Sequence, residues 1–299
     1  MARLRLDGID AWTLAYAGVV TAVLITRWPL PTPGAGLLPI AHAALLLLAL
    51  SAARRRHTTG AALWALLADF YPLLLTSILY TEVGLLNTLA GQSHDALVQG
   101  WESFVFGAPP SRDWIRACPW TWLSWPVHLG DLSYSILVPG PALVLWLRGR
   151  RPEARRVILL VAATFFVCYT VFLLFPVAGP RYTFPLATNA ATAIAPAVFA
   201  QRLLNAGAAW GTAFPSSHVA VALVSTIRGG ISSRSLGLVF VPLALLLTLG
   251  TVYGQFHYAV DALAGAAVAA VVLTAGRRAG YDCSSTAPTD RTPTHGEPR

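Results

Sequence analysis

Residues 157–177 read VILLVAATFFVCYTVFLLFPV, twenty-one positions without a charged side chain. A helix needs about 20 mostly apolar residues to cross the hydrocarbon core of a bilayer, so this run predicts a membrane span. Working outward, seven further runs have the same character, at 11–27, 37–53, 61–88, 127–147, 215–229, 235–254 and 257–276. The fold class expected is therefore all-α, a polytopic membrane protein with eight spans.

Composition agrees. Of 299 residues, 56% are hydrophobic and 11% charged, with a mean hydropathy of +0.60. Soluble domains run near one quarter charged, which excludes an ordinary soluble fold. All 21 basic residues are arginines, and against 13 acids they leave a net charge of +8. They stand in short clusters between apolar runs rather than along one face, so a nucleic-acid surface is not expected. Cys118, Cys168 and Cys283 form neither a metal-ligand spacing nor a disulfide framework.

The clusters orient the chain. With the amino terminus inside, the inner segments hold fourteen arginines before the tail, among them Arg54, Arg55, Arg56, Arg148, Arg150, Arg151, Arg277 and Arg278, whereas the outer segments hold five. The positive-inside bias selects that orientation. A cleaved secretory signal in place of the first span would leave the others oriented alike, but a retained helix is preferred because the next apolar run starts almost at once. Residues 1–60 are expected to form amino-terminal membrane helices, 61–276 a catalytic membrane domain and 277–299 a disordered cytoplasmic tail.

Residues 89–126 differ, with Trp101, Trp114, Trp120, Trp122 and Trp125 among prolines and polar groups. Leu97, Val98, Trp101, Phe104 and Val105 recur at helical spacing opposite Gln99, Glu102 and Ser103, which suits a helix lying in the outer interface or a packed loop.

Three constellations carry chemistry, and the topology puts all of them at the outer face: Gly179-Pro180-Arg181-Tyr182, Phe214-Pro215-Ser216-Ser217-His218, and His257-Tyr258 with Asp261. Pro215 is read as a first-turn residue, so the amides of Ser216, Ser217 and His218 would face an anion at a positive helix end. Arg181 can offer the same anion a guanidinium fork. His257 and Asp261, four apart, share a helix face, as a nucleophilic imidazole and its orienting carboxylate would, and His218 could protonate a leaving oxygen. The acids Asp69, Glu82 and Asp131 are read as helix-to-helix hydrogen-bonding groups, and His42, His57, His94 and His128 as packing or interface residues.

These residues resemble the type 2 phosphatidic acid phosphatase superfamily, whose signature joins Lys and Arg-Pro, then Pro-Ser-Gly-His, then Ser-Arg followed by His and Asp. Pro215, Ser216 and His218 match the second part, with Ser217 in the glycine position, and His257 and Asp261 match the third. The resemblance implies His257 as the nucleophile that forms a phosphohistidine, Asp261 as its orienter, His218 as the acid, and Arg181, Ser216 and Ser217 as phosphate-binding groups, with no metal or cofactor. Leu174 stands where the signature has its lysine, and Thr251 where it has the arginine of the third part. That pattern, with Gly265, is closer to the branch holding inositol phosphorylceramide and sphingomyelin synthases, as is the stretch from His94 and Asp95 through Glu102, Phe106, Gly107 and Pro109. The likeness covers residues 80–276.

A monoester phosphate carries nearly two charges at neutral pH and a diester one, so a site with a single arginine suits the diester. The activity expected is transfer or hydrolysis of a lipid's phosphate-containing headgroup, inositolphosphotransferase-like, at the extracytoplasmic face of the cell membrane. Its partners would be the lipid phosphoester and a lipid alcohol acceptor. The alternatives are a phosphatase for phosphatidic acid or a polyprenyl (pyro)phosphate, a catalytically inactive binding or transport protein, and a metal enzyme built on a two-histidine, one-carboxylate triad.

Overall fold

The computed structural model describes residues 8–26, 39–44, 47, 51 and 62–280. Apart from one isolated bridge between Val177 and Thr212, the described residues form helices and connecting turns. In chain order they begin with α1 (Gly8–Thr26), α2 (Ala62–Ala90), α3 (Asp95–Phe106), α4 (Pro110–Ala117) and α5 (Thr121–Leu132). Two short pieces follow, α6 (Tyr134–Leu137) and α7 (Gly140–Leu147), then α8 (Arg151–Leu174) and a single turn, α9 (Pro180–Thr183). The last described helices are α10 (Ala195–Gly207), α11 (Ser217–Ser232), α12 (Arg234–Tyr253) and α13 (Ala259–Arg278).

The apolar run that announced the fold is also its axis. In α8, 78% of the most apolar window is buried, against 39% in α2 and α12 and 44% in α13. It packs on α1, α2, α7, α11 and α13, which is why residues such as Val157, Val161, Cys168 and Phe172 have no exposed surface. The surrounding helices present Leu74, Ile78, Leu85, Leu238, Leu245, Leu263 and Val271 outward, as lipid-facing helices do.

Four helices, α2, α8, α12 and α13, are long and apolar enough to cross a membrane, or five when the pair bent by 48° between α6 and α7 counts as one. The eight spans expected are therefore not all present as full-length helices among the described residues. The run at 37–53 lies largely outside them. The run at 127–147 is broken where Ser133 and Pro139 each start a new helix. The helix from the run at 215–229 has 16 residues, about 24 Å at 1.5 Å per residue, short of a 30 Å core.

Polar bonds pin the ends of the bundle. At the arginine-rich end, Asp69 of α2 accepts from Arg151 and from Trp146 Nε1, the latter at 3.0 Å. Glu82, further along α2, lies 3.0 Å from His42 Nδ1. Both acids thus join helices, as expected. At the opposite end, Asn87 Nδ2 donates to the carbonyls of Phe172 and Gly211, both at 3.0 Å. There the loops after α2, α8, α10 and α12 converge.

In the tryptophan-rich segment, α3 is the helix expected, but Val98 and Glu102, expected on opposite faces, are buried together. Asp95, Val98 and Glu102 are buried, while Leu97, Trp101, Phe104 and Val105 face outward. Glu102 turns inward because Ser111 and the start of α13 offer it donors.

Candidate active site

The first site element is the turn after α8. Asp95 Oδ2 accepts the amide of Ala178 and Oδ1 that of Gly179, both at 2.8 Å. Gly179 has φ +101, a conformation open to glycine, and a Cβ there would meet Ala213 Cβ at 3.2 Å. The turn delivers Arg181, whose Nη2 donates to Asn205 Oδ1 at 2.6 Å and whose guanidinium lies 5.1 Å from the Tyr182 ring centre. Its Nη1 is buried and unpartnered.

The second element is the start of α11. Pro215 lies outside the helix, contrary to the first-turn position expected, and the cap is Ser216. The Ser216 hydroxyl accepts from Val219 N at 3.4 Å, and its amide donates to the Asp261 carbonyl at 2.9 Å. Ser216 is thus committed to holding α11 against α13, and the first-turn amides left for an anion are those of Ser217 and His218. His218 sits 4.2 Å, ring centre to ring centre, from Tyr134, and its Nδ1 is buried without a partner.

The third element is the turn into α13. The carbonyl of Thr251 accepts the amides of Phe256 and His257, both at 2.9 Å. Tyr258 N donates to Asp261 Oδ2 at 2.8 Å, and Ala259 N to Glu102 Oε1 at 2.7 Å. Two carboxylates therefore receive the first amides of α13, Asp261 from its own first turn and Glu102 from α3.

Within that turn, His257 Nδ1 is 3.0 Å from the Ala213 carbonyl and 3.4 Å from Asp261 Oδ2. A carbonyl can only accept, so Nδ1 carries the proton and Nε2 keeps its lone pair. The orienting partner expected, Asp261, is the more distant of the two, and its nearer bond is the helix cap. Burial pushes the His257 imidazole down to about 4, so at neutral pH the ring is unprotonated.

These elements meet. The His218 and His257 ring centres are 5.5 Å apart, and both rings line a cavity of about 50 Å³ shared with Arg181, Asp131 and Thr251. Arg181 is the one arginine in that wall, whereas Leu174 is 70% exposed at the end of α8 and stands outside it. A groove of about 530 Å³, walled by Phe70, Leu73, Leu74, Val138 and Phe165, reaches the same centre at His218 and Ser217.

Asp95, Glu102 and Asp131 have roles that the reading of the sequence missed. The first two were placed only inside a resembling stretch, and their spacing of seven at buried positions was the available signal. Asp131, expected to bond to a neighbouring helix, makes no side-chain hydrogen bond among the described residues and faces the cavity. His94 and His128 take the packing roles expected, His94 stacked on Phe175 and His128 edge-on to Tyr253.

No curated protein and no solved structure matches the chain. Residues 101–275, which contain both histidines, Arg181, Asp131 and Asp261, match the family model of the PAP2 superfamily. With more than half of its length matched, the chain belongs to the PAP2 superfamily.

Proposed function

We propose that this membrane protein transfers or hydrolyses the phosphate-bearing headgroup of a lipid phosphodiester, in the manner of an inositolphosphotransferase, through a phosphohistidine at His257. The observation that carries the reading is the convergence of His257, His218 and the unpartnered Nη1 of Arg181 on one small cavity that adjoins an apolar groove. The groove suits a lipid chain, and the cavity a phosphate.

In the first step His257 Nε2 attacks phosphorus in line. The N–P bond forms, the P–O bond to the lipid alcohol breaks, and His218, which takes a proton from solvent as the substrate anion binds beside it, delivers that proton to the departing oxygen. In the second step an acceptor alcohol or water loses its proton to His218 and attacks phosphorus, and the N–P bond breaks. The proton on Nδ1, held by the Ala213 carbonyl and backed by Asp261, stabilises the charge that develops on the His257 ring. Arg181 and the Ser217 and His218 amides hold the non-bridging oxygens. The arginine asymmetry supports an extracytoplasmic site.

The test is a side-by-side rate comparison in one detergent, with and without a lipid alcohol. Diester turnover faster than dephosphorylation of phosphatidic acid, with acceptor diverting product from hydrolysis to transfer, is the expected result. Faster monoester hydrolysis, indifferent to acceptor, replaces this reading with a lipid phosphatase. Activity lost on chelation replaces it with a metal enzyme, and no turnover of either ester with a binding role.

A further inference from the structure

Asp131 is the one carboxylate in the wall of the cavity that holds both histidines. It is placed there by a close crossing of α5 and α12. A Cβ on Gly250 would meet the Val127 carbonyl oxygen at 2.2 Å and Asp131 Cβ at 3.2 Å, so only glycine lets the two backbones touch at that level. The crossing sets Asp131 beside Thr251, the next residue of α12. No hydrogen bond or ion pair occupies its carboxylate among the described residues, although the buried acids around it are all engaged: Asp95 with backbone amides, Glu102 with Ser111 and Ala259, and Asp261 with Tyr258.

Two consequences follow from electrostatics. Arg181 and the His218 that protonates the leaving oxygen supply the positive charge of the cavity, and the Asp131 carboxylate opposes it. A doubly charged monoester is then disfavoured relative to a singly charged diester, because like charges in a low-dielectric wall repel strongly. The half-buried carboxylate has no protein donor among the described residues, so a bound molecule that carries donors can supply the hydrogen bonds it otherwise takes from water.

We propose that Asp131 determines substrate choice, its carboxylate accepting hydrogen bonds from a headgroup that bears hydroxyl or ammonium donors while repelling a terminal phosphate monoester. The assignment rests on the diester reading given above and names the headgroup chemistry that the same site takes. Asp131 also lines the adjoining space of about 280 Å³ with Tyr80, Ser135 and His218, which gives the headgroup room beside the phosphate.

The experiment measures kcat and KM of the full-length protein, unmodified and as Asp131→Asn, on four lipids. Phosphatidylinositol and phosphatidylethanolamine carry hydroxyl and ammonium donors, phosphatidylmethanol has the same single charge and no donor, and phosphatidic acid is the monoester. The unmodified protein is expected to prefer one or both donor-bearing lipids over phosphatidylmethanol, and which one it prefers tells hydroxyl from ammonium. Asp131→Asn is expected to lower that preference at least tenfold, chiefly through KM, and to raise turnover of phosphatidic acid relative to phosphatidylmethanol. An unchanged preference, or an equal loss on all four lipids by a variant with an unaltered melting profile, overturns the proposal. Should Asp131→Asn not accumulate, the unmodified protein decides, since equal kcat/KM for phosphatidylmethanol and both donor-bearing lipids overturns it as well. Turnover of phosphatidic acid with none of any diester would instead remove the diester reading beneath it.

Discussion

The Tyr258 hydroxyl donates to Asp95 Oδ1 at 2.9 Å, joining the residue after the proposed nucleophile to a carboxylate 163 positions earlier in the chain. The same carboxylate receives the amides of Ala178 and Gly179, two residues short of Arg181. One acid on α3 therefore sets the arginine turn against the histidine turn.

Asp95→Ala is accordingly expected to harm both. The buried Gly179 amide and Tyr258 hydroxyl and the half-buried Ala178 amide lose their acceptor, and a buried donor left unsatisfied costs about 1–3 kcal/mol. Thermal unfolding in detergent should show the loss, and diester turnover should fall further than the unfolded fraction explains. Full activity in Asp95→Ala would show that the two turns hold their places without it.

His218→Ala and His257→Ala should each reduce turnover by on the order of 10⁴-fold or more while the protein inserts and accumulates normally. Asp261→Asn keeps an oxygen to cap α13 but loses the charge behind His257, so slow residual turnover is expected. An acid-labile phosphate adduct should form on the unmodified protein and be absent from His257→Ala. Near-normal turnover in His257→Ala ends the nucleophile assignment.

Burial lowers His257 from its ordinary 6.5 to about 4. The limb of kcat/KM that reports its protonation should therefore lie below about pH 5. The sign for stability follows from the same shift. Below 6.5 the unfolded chain takes up this proton before the folded one does, so the contribution of His257 is present at neutral pH and is lost as pH falls from 6.5 toward 4. Melting curves across that window would show it, and His257→Ala should flatten the dependence.

Thr251→Arg puts a cation in the cavity wall beside Asp131. The ratio of phosphatidic acid to diester turnover should rise on the order of tenfold, since a charge-assisted bond to the second phosphate charge becomes available. A ratio unmoved in a folded variant would mean that charge in this wall does not select the ester.

For topology, single cysteines at Pro110, Ala206 and Pro152 in a cysteine-free background separate the two ends. Positions 110 and 206, on the side of the site, should react with an impermeant thiol reagent in intact cells, and 152 should not. The reverse pattern would place the site inside.

The sequence by itself determined the helical membrane character, because a bilayer admits few backbone solutions and each span must be written in consecutive apolar residues. It also determined the short-range chemistry: His257 and Asp261 lie four apart on one turn, and Ser216-Ser217-His218 opens a helix, both relations within reach of helical periodicity. Which face an acid takes was beyond it. Glu102 looks like the polar side of an interfacial helix, yet it is buried because its donors, Ser111 and Ala259, arrive from other segments. Pro215 falls outside the helix and Ser216 becomes its cap, and the Ser216 amide is claimed by the Asp261 carbonyl rather than left for an anion, which no local pattern encodes. Asp131 reads like any intramembrane acid, and only the glycine-level crossing of α5 and α12 leaves it unpaired beside both histidines. Tertiary structure decided these three points because the worth of a buried charge depends on what stands opposite it, and the chain brings those groups together from far apart.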